Sequence, residues 1–156
     1  MIKNRFIYIL IVILLFIDQI IKYIVRSNMF LYQKIVLIKK FFSIYYVENE
    51  GAAFSIFNGY RFLLIIVGLV VLFVLNYYIS KYVKINRFNT IYYGMILSGI
   101  YGNLIDRIFY GRVIDYLSFN IFNYSFPIFN FADICIVVSI FFIICLTMKE
   151  VKNERN

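Results

Sequence analysis

Residues 6–24 read Phe6-Ile7-Tyr8-Ile9-Leu10-Ile11-Val12-Ile13-Leu14-Leu15-Phe16-Ile17-Asp18-Gln19-Ile20-Ile21-Lys22-Tyr23-Ile24. About 20 mostly apolar residues carry a helix across ~30 Å of hydrocarbon, so this stretch is long enough to span a bilayer, with its ionisable residues toward its C-terminal end. Lys3 and Arg5 precede the run, as they would in a secretory leader. A leader, however, ends in small residues at a cleavage site, and here Asp18-Gln19-Ile20-Ile21-Lys22 follow. The segment is expected to be an uncleaved anchor.

Working outward, three more segments have the same character: Phe62 to Ile79, Ile91 to Ile108 and Ile128 to Met148. The composition agrees, at 63% hydrophobic and 15% charged, where an ordinary soluble domain is about half apolar and a quarter charged. The expected fold is therefore an all-α membrane protein of four transmembrane helices, forming a single integral-membrane domain over residues 1–156. The net charge of +8 does not indicate nucleic acid, because Lys and Arg collect at the ends of the hydrophobic runs rather than on a separate basic stripe. They are denser in stretches 1–5, 81–87 and 149–156 than in the two longer loops, which predicts cytoplasmic termini and an outward-facing pair of long loops. Residues Lys149 to Asn156 read as a frayed polar tail.

Histidine is absent, which removes Ser-His-Asp triads, His-ligated metals and His general bases. Cys135 and Cys145 are ten residues apart on one expected helix, about 15 Å along its axis and too far for a disulfide. Both read as apolar packing residues. No metal site or cofactor is expected, and chemistry must rest mainly on carboxylates.

The polar residues gather at one end of the bundle. Asp18 and Lys22 lie late in the first span, Asn49, Glu50 and Gly51 just before the second, Asn103, Asp106 and Arg107 late in the third, and Asn130 and Asp133 at the start of the fourth. Alternation of the spans brings all four clusters to the same membrane face, and ionisable groups there are costly enough to be functional candidates by default. Asp18 and Lys22 are spaced i, i+4 and read as a structural ion pair. Asn103, Asp106 and Arg107 share a face, beside Gly99 and Gly102, whose small size lets another helix approach. Asp115 and Asp133 have no evident cation partner. Two carboxylates held close cannot both ionise readily, so that one keeps its proton and the other acts as a base. An aspartyl hydrolase needs such a pair, and a proton-coupled carrier would also show one; a purely structural membrane subunit leaves the clustering unexplained.

The loop from Val25 to Tyr60 is long for so compact a chain, and such loops tend to be functional. Phe41-Phe42-Ser43-Ile44-Tyr45-Tyr46-Val47 and Ala52-Ala53-Phe54-Ser55-Ile56-Phe57, separated by Glu48-Asn49-Glu50-Gly51, are expected to form a small extracytoplasmic hairpin. Pro127 suits the first turn of the fourth helix, which would put Asp133 about 9 Å further along it.

Five of these motifs occur in an order that resembles one family. Asp18-Gln19-Ile20-Ile21-Lys22, Asn49-Glu50-Gly51-Ala52-Ala53-Phe54, Gly102-Asn103-Leu104-Ile105-Asp106-Arg107, Val113-Ile114-Asp115-Tyr116 and Phe129-Asn130-Phe131-Ala132-Asp133 resemble the lipoprotein signal peptidases, signal peptidase II, over most of the chain. The resemblance implies an aspartyl endopeptidase of the bacterial cytoplasmic membrane that removes the signal peptide from a diacylglyceryl-modified prolipoprotein, cutting just before the lipidated cysteine. It implies a catalytic pair at Asp115 and Asp133. Asn49 and Asn130 are then near the substrate, and Asp18, Lys22, Gly51, Asn103, Asp106 and Arg107 hold the site. It also implies an extracytoplasmic β-cradle, membrane lipid as a partner and globomycin as an inhibitor. The chain departs from the family pattern at Ser98-Gly99-Ile100-Tyr101-Gly102, which lacks the two adjacent glycines, and at Ile134, where a small polar residue is usual.

Overall fold

A computed structural model describes residues 5–52, 56–83, 86–122 and 124–154, the last six of these by backbone alone. Four long helices, α1 (Arg5–Asn28), α2 (Arg61–Tyr82), α3 (Arg87–Phe109) and α4 (Phe131–Glu154), are joined by two strand pairs, β1 (Lys34–Ile38) with β2 (Phe42–Asn49) between α1 and α2, and β3 (Val113–Ile121) with β4 (Tyr124–Ser125) between α3 and α4. Helix α3 is the hub and packs against α1, α2 and α4. Its core residues Tyr93, Ile96, Leu97 and Leu104 meet Ile7 and Ile11 of α1 and Leu72 and Ile79 of α2.

Helix-to-helix approach is closest where α3 carries glycine. A Cβ at Gly99 would run into the backbone carbonyl of Ala132 on α4, and one at Gly102 into the Asp18 carboxylate on α1. These two positions let α3 sit against both partners at the level of the polar cluster, as small residues do between membrane helices.

The outward faces are apolar: Phe62 is 77% exposed, Phe73 75% and Val137 65%. Buried positions, in contrast, include Asp18, Lys22, Asp106, Asp115 and Asn130. This reverses the arrangement of a soluble protein and suits a hydrocarbon surround. Among the described residues three helices are long and apolar enough to cross a membrane: Arg5–Asn28, Arg61–Tyr82 and Phe131–Met148. Helix α3 has 23 residues, enough in length, but is less apolar because it carries the polar groups that the other helices surround. The side chain of Asn86 caps its N-terminus by accepting from Asn89 N–H at 2.8 Å.

The strands form one antiparallel sheet in the order β1-β2-β3-β4. This corrects the expected hairpin. Strand β2 pairs with β1 on one side, through a turn at Lys39 and Lys40, and with β3 on the other, with Asn49 opposite Val113. Among the described residues it does not pair with Ala52, Ile56 or Phe57, and the rest of the expected second arm, 53–55, lies outside the described residues. The cause is local. The Asn49 side chain accepts from Gly51 N–H at 2.9 Å, turning the chain at the end of β2, and Ala52 N–H closes onto Ile56 C=O at 2.7 Å.

Two further expectations change at α4. The helix begins at Phe131 rather than near Pro127, because Phe129 is held in extended pairing with Leu117 (2.8 and 3.2 Å) and Tyr116 (3.1 Å). Asp133 is accordingly in the first turn of the helix. At the other end α4 continues to Glu154, so most of the expected frayed tail is helical backbone.

Candidate active site

The N-terminus of α4 is the foundation of the site. A helix start leaves backbone N–H groups without helical partners, and here each of the first three is met by a side chain. Phe131 N–H donates to the Tyr116 hydroxyl at 3.2 Å, Ala132 N–H to Asp18 Oδ1 at 3.0 Å and Asp133 N–H to Asn130 Oδ1 at 3.0 Å. Asp133 Oδ2 in turn accepts from Asn130 N–H at 3.1 Å, which completes a reciprocal capping box. The partial positive charge of the helix end favours both carboxylates placed there.

Beneath it lies a buried ion cluster. Lys22 Nζ is 2.8 Å from Asp18 Oδ2 and 2.8 Å from Asp106 Oδ2, with all three residues at most 1% exposed. The i, i+4 pair read from the sequence is therefore one arm of a triad. Gln19 Nε2 donates to Asp106 Oδ1 at 3.0 Å and Asp18 Oδ2 at 3.2 Å, filling lone pairs that one lysine cannot reach. Buried ions persist only when paired in this way.

The third contact of Lys22 orients the layer above. Its ammonium donates to Asn103 Oδ1 at 3.2 Å. An ammonium has no acceptor, so the Asn103 oxygen must face it, and the amide nitrogen is thereby aimed at Asp133 Oδ1, 2.7 Å away. The same oxygen accepts from Asn130 Nδ2 at 3.1 Å, and that nitrogen also donates to Asp115 Oδ1 at 2.7 Å. Asn49 Nδ2 supplies the second donor to Asp115, at Oδ2 and 3.0 Å.

The fold thus brings Asp115 from β3 and Asp133 from α4 to one cavity of about 580 Å³. Its polar wall is Asn49, Asn103, Arg107 and the two aspartates, and its apolar wall includes Phe129, Ile134, Val137 and Val138. Asp115 is 3% exposed. Burial, then the neighbouring charge of Asp133, push its carboxyl up to about 7 against the pull of the two asparagine donors. Two carboxylates at one cavity, with at least one holding a proton near neutrality, have the equipment for general acid and general base chemistry on water. Among the described residues no group of three or more His, Cys, Asp or Glu side chains gathers as metal ligands would.

Arg107 reaches backbone carbonyls. It pairs with neither Asn103 nor Asp106 through their side chains, but donates from Nη2 to Gly51 C=O at 2.7 Å and from Nη1 to Asn103 C=O at 3.3 Å. It anchors the Asn49–Ala52 turn over the cavity. Gly51 is placed as a backbone acceptor. Three contributors were not singled out from the sequence. Gln19 was visible only as a neighbour of Asp18. Arg61, whose guanidinium donates to Arg107 C=O and Ile108 C=O, both at 2.8 Å, sits beyond the apparent motif. Tyr116 looked like one more aromatic.

Comparison with known proteins bears on this arrangement. A family model described as "Signal peptidase (SPase) II" matches residues 10–149. A lipoprotein signal peptidase of Staphylococcus aureus is 34% identical over 139 residues, covering 89% of this chain and 85% of that protein. A second, from strain JH9, is 34% identical over 138 residues, covering 88% and 85%. Two solved structures, described as bacterial membrane enzyme structures obtained by the in meso method, superpose with TM-scores of 0.90 and 0.85. Each is 31% identical in sequence, with coverage of 97% of this chain and 93% of the other in the first case and 95% and 96% in the second.

Proposed function

The chain belongs to the signal peptidase II family and is a peptidase; from that premise we propose that it cleaves diacylglyceryl-modified prolipoproteins by an aspartyl mechanism at Asp115 and Asp133, just before the lipidated cysteine. The observation that carries the reading is the meeting of these two carboxylates, from separate elements, at one cavity with a polar and an apolar wall.

In the resting enzyme the dyad holds one proton. Burial favours its residence on Asp115, with the titration belonging to the pair, and Asp133 is the base. The Asp133 carboxylate takes a proton from water as the water oxygen bonds to the scissile carbonyl carbon, while Asp115 gives its proton to the carbonyl oxygen. In the second half Asp133 returns a proton to the amide nitrogen, Asp115 recovers one from the hydroxyl, and the C–N bond breaks to an acid and an amine. Positioned acid and base groups of this kind contribute about 10²–10⁴-fold. Asn49 and Asn130 hold Asp115 and Asn103 holds Asp133, so that neither rotates away between steps.

The bundle crosses the bacterial cytoplasmic membrane four times as a single peptidase domain, with α3 crossing as the enclosed helix, both termini cytoplasmic and the cavity at the outer face. Substrate arrives laterally, its acyl chains beside Ile134 and Val137 of α4, which are 36% and 65% exposed, and its peptide beneath the Asn49–Ala52 turn. Globomycin is expected to occupy the same cavity. The test is cleavage of one defined diacylated precursor by the wild-type protein and by Asp115→Asn and Asp133→Asn. Shortening by the wild type alone, blocked by globomycin, is expected. Full cleavage by either variant would refute the dyad, and efficient cleavage of an unlipidated precursor would refute the lipid requirement.

A further inference from the structure

The geometry points to the β1–β2 hairpin as a lipid-seated element that prefers an anionic phospholipid surface. Every residue of β1 is exposed, and four consecutive ones are large and apolar: Ile35 43%, Val36 55%, Leu37 57% and Ile38 53%. A strand in an antiparallel sheet ordinarily turns one face to the core and one to water, whereas β1 has neither face covered and is an edge of the sheet. Left in water, such a strand is a site of aggregation.

Charge identifies what covers it. Lys34 precedes the apolar run and Lys39 and Lys40 follow it at the turn, and no acidic residue occurs from Asn28 to Val47. Lysines on an edge strand oppose the addition of another strand, which argues against a second copy or a partner β-segment. Apolar residues bracketed by lysines instead match the boundary between acyl chains and anionic headgroups. The position agrees, because β1 begins six residues after α1 ends and so lies at the level where the spanning helices leave the membrane. The apolar surface is also continuous with the cavity. Phe41 at the turn meets Phe119 edge-on at 5.6 Å, and Phe119 stacks on Phe42 at 4.6 Å and on Phe129 at 5.7 Å, with Phe129 in the cavity wall. Seated in lipid, the hairpin fixes the height of this aromatic row, and hence of the cavity mouth, in the outer leaflet.

This inference rests on the membrane-spanning placement above but not on the aspartyl chemistry, and its test does not read cleavage. The chain has no tryptophan, so Leu37→Trp, or separately Val36→Trp, introduces a single reporter into the whole chain. In vesicles containing phospholipid brominated near the carbonyl end of its acyl chains, the reporter is expected to be blue-shifted and quenched, and more so when phosphatidylglycerol replaces half of the phosphatidylcholine. Lys39→Gln with Lys40→Gln removes two charges each worth about fivefold in partition to an anionic surface, and should abolish that difference. A water-like, unquenched emission from both reporters would overturn the lipid seat. Equal quenching in the two lipid compositions would overturn the anionic preference, and a blue-shifted but unquenched emission that becomes quenched as the protein is diluted in lipid would assign the face to a second copy instead.

Discussion

Asn130 Nδ2 donates to Asp115 Oδ1 at 2.7 Å, while Oδ1 of the same side chain accepts from Asp133 N–H at 3.0 Å and so caps the helix that carries Asp133. One residue therefore sets the distance between the two acids, and its loss should damage catalysis more than folding. Asn130→Ala is expected to lower kcat by about 10²-fold or more with a cap penalty of about 1 kcal/mol. Cleavage kinetics beside thermal unfolding in detergent check both parts.

Asp115→Asn is not a silent isostere. Both Asp115 oxygens accept from asparagine amides, so an amide at 115 can satisfy only one and must turn its own N–H₂ toward the other donor. Loss of activity should come with destabilisation of about 1–3 kcal/mol for the unmet group. Asp133→Asn should abolish cleavage as well. Chemical denaturation in micelles, paired with a cleavage assay, measures the two effects separately.

The raised carboxyl of Asp115 predicts a definite pH response. Its folded value is about 7 against a reference of 3.8, so between these limits the folded state holds more protons than the unfolded one, and stability falls as pH rises. The stabilisation is complete below about 4 and is lost as pH passes through about 7. Midpoints of thermal unfolding taken across this window should decline in the wild type more than in Asp115→Asn. Activity should decline above neutrality as the proton needed by the carbonyl oxygen leaves.

Lys22→Met strands Asp18 and Asp106, each at most 1% exposed, without a cation. Breaking a buried pair from one side costs about 3–5 kcal/mol, and the Asn103 amide loses the contact that orients it. Reduced yield and a lowered unfolding midpoint are expected, together with low specific activity in whatever folds. Restoration of wild-type activity by methionine would contradict the orienting role.

Glycine substitutions separate close approach from mere helix position. Gly99→Ala puts a methyl against the Ala132 carbonyl, which is backbone and cannot rotate away, so about 1–3 kcal/mol of overpacking is expected. Gly68→Ala meets only the tip of Leu104 at 3.2 Å and gains helix propensity of up to about 1 kcal/mol. Unfolding midpoints of the two variants should move in opposite directions.

Much of this architecture was legible because polar residues are so scarce in the apolar runs. Asp18, Lys22, Asn103 and Asp106 stand out against Ile, Leu and Phe, and helical spacing already puts each group on one face. Asp115 and Asp133 attracted notice for want of a cation, and the structure brings them to a common cavity. Strand pairing was less legible. The turn at Lys39 and Lys40 has no glycine or asparagine, although Lys40 has φ 60°, so the usual hairpin signal is missing. Pro127 misled because it resembles a helix start, while extended pairing at Phe129, a tertiary effect, delays the helix. The lower hydropathy of α3 reflects its central place and could be interpreted only once its neighbours were known.

The capping of α4 by Asp18 joins α4 to α1 across most of the described sequence. A nascent chain halted before residue 131 lacks Asp133 altogether and leaves Asp18 with one fewer donor. On the proposed dyad, hydrolytic competence therefore waits until α4 has been made and has docked against α1, and a partly inserted chain is a harmless bystander in the membrane.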